Sequence, residues 1–82
     1  MMKVRAELYS RLKEIVGASV FELQLRDNAT TNDLFERLQK EYPELRDFGK
    51  SVIFGIGVEF VDRNYELKDG DTVSIMPPVQ GG

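Results

Sequence analysis

Only one long stretch of this chain has helical periodicity, and strand-like alternation brackets it on both sides. In NATTNDLFERLQKEYP, residues 28–43, the side chains of Leu34, Phe35, Leu38 and Tyr42 recur on one face. Thr30 stands three residues ahead of Asp33, an approximate capping box with Asp in place of the preferred Glu. Pro43 stops the helix, because its ring removes a donor and clashes with the preceding turn. One amphipathic helix has one apolar stripe to bury, and the rest of the chain must supply the sheet that covers it.

The flanking segments read as that sheet. Val4, Ala6 and Leu8 alternate with Arg5 and Glu7, the mark of a strand with one buried face, and Tyr9 falls on the outward parity. RLKEIVG follows, with Leu12, Ile15 and Val16 at helical spacing and a glycine where a short helix stops. Phe21, Leu23 and Leu25 then share one side of a second strand, so the two strands form a hairpin joined by about a turn of helix. After a polar link, residues 51–56 are rich in β-formers and residues 59–61 are short and partly apolar. Leu67 packs ahead of the turn Lys68-Asp69-Gly70-Asp71, and residues 72–75 form a last strand with Val73 and Ile75 inward and Met76 outward. This order predicts an α+β fold: a β-grasp, ubiquitin-like mixed sheet of four to five strands packed on one main helix. The domain covers residues 1–76, and a flexible C-terminal tail projects from it over residues 77–82.

Composition narrows the chemistry. Eighty-two residues, 41% hydrophobic and 30% charged, make one globular domain with little room for a deep pocket. Eleven Lys and Arg scattered among fourteen acids, for a net charge of −3, supply no basic patch for nucleic acid. Neither cysteine nor histidine occurs, which excludes a disulfide scaffold, a thiol nucleophile, a Cys/His zinc site and a histidine base. No metal and no bound cofactor are expected, and no membrane segment. The opening MMKVRAEL meets charge at once, which predicts a cytoplasmic protein.

Several motifs reduce to structure. In Phe54-Gly55-Ile56-Gly57 the glycines read as a tight hairpin turn, since a dinucleotide fingerprint needs a third glycine and a following helix. Asp69-Gly70-Asp71 lacks the spaced third acid and distal glutamate of a calcium loop. Asp33, Glu36 and Glu41 form a solvated helix face. Tyr9 and Met76 point away from the helix-side core, where a cluster marks a docking surface and single apolars mark nothing; parity alone leaves Phe60 open between the two faces.

The end of the chain, IMPPVQGG, carries the strongest functional signal. With glycine at roughly 7% of residues, a terminal pair arises by chance about once in two hundred chains. Pro77 and Pro78 favour a polyproline-type stem that leaves the sheet, and from Pro77 the tail can reach roughly 20 Å. Gly81 and Gly82 have no Cβ, so a partner can close around the backbone, and the group so presented is the Gly82 carboxylate. A carboxylate becomes electrophilic only after conversion to a mixed anhydride, as with ATP, on an enzyme that shields it from water. The catalytic groups must therefore come from elsewhere.

These residues carry a resemblance that spans nearly the whole chain: the opening strand with RLKEIVG, the run LKDGDTVSIMPPVQGG, and the element order between them. The sequence resembles the small subunit of molybdopterin synthase and, more widely, ubiquitin-like sulfur carriers. The resemblance implies that Gly82, with Gly81 beside it, is adenylated by a ubiquitin-activating-like (E1-like) enzyme using ATP and converted to a thiocarboxylate. The tail then enters the synthase large subunit, in a heterotetramer, and donates sulfur to cyclic pyranopterin monophosphate. The chain is then a sulfur-donating subunit that is not catalytic alone. Tyr9, Phe60 and Met76 would meet both partners, together with Pro77, Pro78, Val79 and Gln80 of the stem. One departure is Gly57-Val58, where many relatives carry an Asn-Gly turn. The alternatives are a protein modifier that forms isopeptides with lysines, a sulfur carrier for tRNA thiolation or thiamine synthesis, and an interaction domain with an incidental diglycine.

Overall fold

A computed structural model describes residues 1–78. Five strands and two α-helices follow in the order β1 (Met2–Leu8), α1 (Ser10–Val16), β2 (Val20–Leu25), α2 (Thr31–Glu41), β3 (Ile53–Ile56), β4 (Glu59–Val61) and β5 (Thr72–Met76), with a 3-10 segment (Pro43–Ser51) between α2 and β3. The sheet order is β2-β1-β5-β3-β4. β1 and β5 run parallel at its centre, and the other neighbours are antiparallel. This is the mixed β-grasp sheet that the alternation predicts.

The core lies between the sheet and α2. Leu34, Phe35 and Leu38 are fully buried, against Val4, Ala6, Leu8, Val73 and Ile75 from the two central strands. Phe35 meets Phe54 edge to face with ring centres 6.1 Å apart, a geometry that suits the ring quadrupoles. The capping box is complete: the Thr30 hydroxyl accepts from the Asp33 amide at 3.2 Å, and the Asp33 carboxylate accepts from the Thr30 amide at 2.9 Å. The next two amides of α2, on Thr31 and Asn32, donate to the carbonyls of Tyr65 and Arg63, so the loop after β4 closes the remaining open donors of the helix start.

The structure differs from the sequence reading in three places, the first being α1, which at seven residues makes about two turns rather than one. The link after Pro43 is not merely polar. Its 3-10 winding, three residues per turn, sets Leu45 and Phe48 on one side, where Leu45 is fully buried and Phe48 packs partly against the core. The glycines of Phe54-Gly55-Ile56-Gly57 also separate. Gly57, at φ +60°, begins the two-residue turn Gly57-Val58, which has a positive φ only at its first position, as a type II′ hairpin requires. Gly55 instead lies inside β3 and is buried.

Candidate functional site

Strand alternation sends every second side chain to the face away from α2, and register shows which of these stand side by side. One row crosses all five strands on that face: Val20, Glu7, Ser74, Gly55 and Phe60. The next row contains Ile53 and Met76, which pair directly. Tyr9 follows Leu8, the partner of Ile75, and so leaves the sheet at the same end as Met76. The pairing of Phe60 with Gly55 settles its parity and places it with Tyr9 and Met76.

These side chains are open to solvent. Phe60 is 76% exposed, Tyr9 44% and Val20 45%, while Val58 at the hairpin tip is fully exposed; Met76 and Ile53 are partly covered. A methyl group built on Gly55 would stand 3.8 Å from the Met76 Cε. The methionine therefore reaches over the bare backbone opposite Phe60 and joins the two rows into one apolar surface. Glu7 interrupts that surface. Its Oε1 receives the Tyr9 and Ser74 hydroxyls only at 3.4 Å each, long for bonds between oxygens. A partner that covers this face must therefore offer Glu7 a donor or a cation, because an unpaired buried carboxylate is costly. Toward the other end of the face the surface turns polar, with an Arg5–Glu22 ion pair at 3.0 Å flanked by Lys3, Gln24 and Thr72.

The apolar end is the end from which the chain leaves β5. Pro77 and Pro78 are partly buried and line a groove of about 540 Å³ with Ser10, Arg11, Asp47, Phe48 and Ser51. Val79, Gln80, Gly81 and Gly82, the rest of the proposed stem and tip, lie outside the described residues. Sequence reading passed over Val20, Ile53 and Val58. Val20 was legible, since it alternates with Phe21, Leu23 and Leu25; Ile53 was not, because its face depends on its register with Met76.

The other candidates settle as turns. The Asp69 carboxylate accepts the Lys3 amide at 2.9 Å and Asp71 accepts the Lys68 amide at 2.8 Å, so both acids serve backbone donors around Gly70. Among the described residues no cluster of three or more Asp, Glu, His or Cys is placed to hold a metal ion, and no helix is long and apolar enough to cross a membrane.

The sequence pattern of the ThiS family matches residues 6–82. The chain belongs to the ThiS family. Among curated relatives, the molybdopterin synthase sulfur carrier subunit of Chlamydomonas reinhardtii is 31% identical, with 99% of this chain and 100% of that protein covered. Small archaeal modifier protein 3 of Haloferax volcanii is 29% identical, over 99% of this chain and 100% of that protein. A solved structure from Pyrococcus furiosus, assigned as molybdopterin converting factor subunit 1, superposes with a TM-score of 0.85 at 26% identity, covering 96% of this chain and 100% of its own. The fold is also that of a chain in the complex of subunits 1 and 2 of molybdopterin-converting factor from Helicobacter pylori, with a TM-score of 0.68, 24% identity, and 99% and 100% coverage.

Proposed function

We propose that this chain is the sulfur-carrier small subunit of a molybdopterin synthase and acts in the cytoplasm. The observation that carries the reading is the Gly81-Gly82 terminus behind a Pro-Pro stem, on a β-grasp domain aligned end to end with a sulfur carrier subunit at 31% identity. In this reading residues 1–76 aim the tail, and residues 77–82 deliver it. An E1-like enzyme joins the Gly82 carboxylate to the α-phosphate of ATP and releases pyrophosphate. A sulfur donor then displaces AMP to leave a thiocarboxylate. In the large subunit that sulfur passes to cyclic pyranopterin monophosphate, and the Gly82 carboxylate returns. Tyr9, Phe60 and Met76 form the docking face for both partners, and the subunits assemble as a heterotetramer.

The test is mass spectrometry of the protein after incubation with its activating enzyme, ATP and a sulfur source. The expected result is an oxygen-for-sulfur exchange at Gly82, lost when one residue is added after it while the urea midpoint stays unchanged. A chain that never gains the mass, or an extended chain that still does, overturns the reading. A second reading, lysine modification, is favoured by the 29% identity to an archaeal modifier protein. It predicts Gly-Gly remnants on lysines of other cellular proteins, whereas the carrier reading predicts loss of molybdopterin on deletion.

A further inference from the structure

The sheet has two edges, and they are protected unequally. β4 is three residues long, short enough to be a poor template for pairing. β2 runs six residues, with no proline and no bulge in its register with β1. Its hydrogen-bonding direction follows from one bond. The Leu8 amide donates to the Ser19 carbonyl at 2.8 Å, so Leu8 and Ser19 form a hydrogen-bonded pair. Such pairs alternate along an antiparallel ladder, so Phe21, Leu23 and Leu25 use their backbone groups toward β1. The amides and carbonyls of Val20, Glu22 and Gln24 therefore point to the open edge. Two contacts agree: the Arg5 amide turns the other way, to Asp71, and the Gln24 carbonyl receives Arg37 Nη1 at 3.2 Å.

Beside this edge lies a groove of about 490 Å³, bounded by Gln24, Leu25, Ala29 and the α2 residues Glu36, Arg37 and Lys40. Its floor is apolar, since Leu25 and Ala29 are buried. Its walls carry Arg26, Arg37 and Lys40 against Asp33 and Glu36, a small positive excess in a chain whose net charge is −3. Arg26 is held by Asp33 at 2.9 Å, whereas Arg37 reaches Glu41 only at 3.9 Å and Lys40 has no ion-pair partner among the described residues.

We infer that this edge and groove form a second docking site, which takes an extended acidic segment of a partner protein as an added strand. The partner's backbone pairs with Val20 and Glu22 and with the Gln24 amide, the Gln24 carbonyl being held by Arg37, as in strand addition generally. Its carboxylates meet Lys40 and Arg37, and an apolar side chain lies over Leu25 and Ala29. In the sheet order β2 lies at the edge opposite β4 and Phe60, so the site meets the face of Tyr9, Phe60 and Met76 only at Val20.

The probe is the blocked peptide acetyl-Asp-Val-Glu-Val-Asp-Val-amide, titrated into the isotopically labelled full chain and followed by amide NMR. Shifts are expected on β2 and along α2 from Asp33 to Lys40, with slowed exchange of the Glu22 amide. N-methylation of alternate peptide amides is expected to abolish binding in the register that faces β2. Lys40→Glu is expected to weaken it about fivefold, the upper end for one exposed charge pair. No shifts, binding on the Phe60 face instead, tolerance of N-methylation in both registers, or an affinity unchanged in Lys40→Glu would each overturn the inference.

Discussion

Among the described residues Ser10 is the one besides Asn28 and the glycines that has a positive φ, at 53°. An L-residue pays for that conformation with a clash between its Cβ and the following carbonyl, about 1–2 kcal/mol, whereas asparagine tolerates it and glycine is free of it. Part of the gain from Ser10→Gly is offset by the greater chain entropy of glycine. The expected result is a stabilisation of about 0.5 kcal/mol, read from urea unfolding. Gly55 argues the other way. Its φ is not positive, and an added Cβ meets its neighbours at 3.5–3.8 Å, ordinary contact distances. Gly55→Ala is therefore expected to raise stability by about 0.5 kcal/mol while its methyl fills the dip between Phe60 and Ser74. Weaker binding to the large subunit in calorimetry would show that the dip is used. The run of β-formers over residues 51–56 takes Gly55 into a strand while the GxG spacing takes both glycines into a turn, and only the pairing of Gly55 with Phe60 separates the two.

Among the elements, α2 was the most legible. Thr30, Asp33 and Pro43 mark its ends by local chemistry, and local chemistry survives folding because its partners are only a few residues away. Thr30→Ala is expected to cost about 1 kcal/mol in urea or thermal unfolding. Phe35→Ala removes the ring that packs on Phe54 and is expected to cost about 3–5 kcal/mol, enough to leave much of a small domain unfolded by circular dichroism. The 3-10 segment was illegible for the opposite reason. Leu45 and Phe48 are three apart among charged residues, a pattern too short to have a period, and only the space left beside α2 makes them core. Strand register had to await the structure for the same reason: which residue faces Phe60 depends on pairing between distant segments.

For the whole molecule, an apolar surface and the departing stem share one end of the sheet. Phe60 packs against little in the free protein, so Phe60→Ala is expected to change stability by less than about 0.5 kcal/mol. The same substitution is expected to weaken association with the large subunit about tenfold, as truncation of an aromatic interface anchor does; calorimetry of the pair measures it. Met76→Arg is expected to act in the same direction and to leave the circular dichroism spectrum unchanged.

The parallel pairing of the first and last strands sets a temporal order. Arg5 stands beside Thr72 at the middle of the sheet, so β1 and β3 have no shared neighbour until the last strand arrives. A nascent chain cannot close this sheet until residues 72–76 have been synthesised, and contacts this distant in sequence form slowly. A chain cut short before β5 is expected to leave the β1–β2 and β3–β4 hairpins unjoined in the sheet, and limited proteolysis checks whether it is digested faster than the full chain.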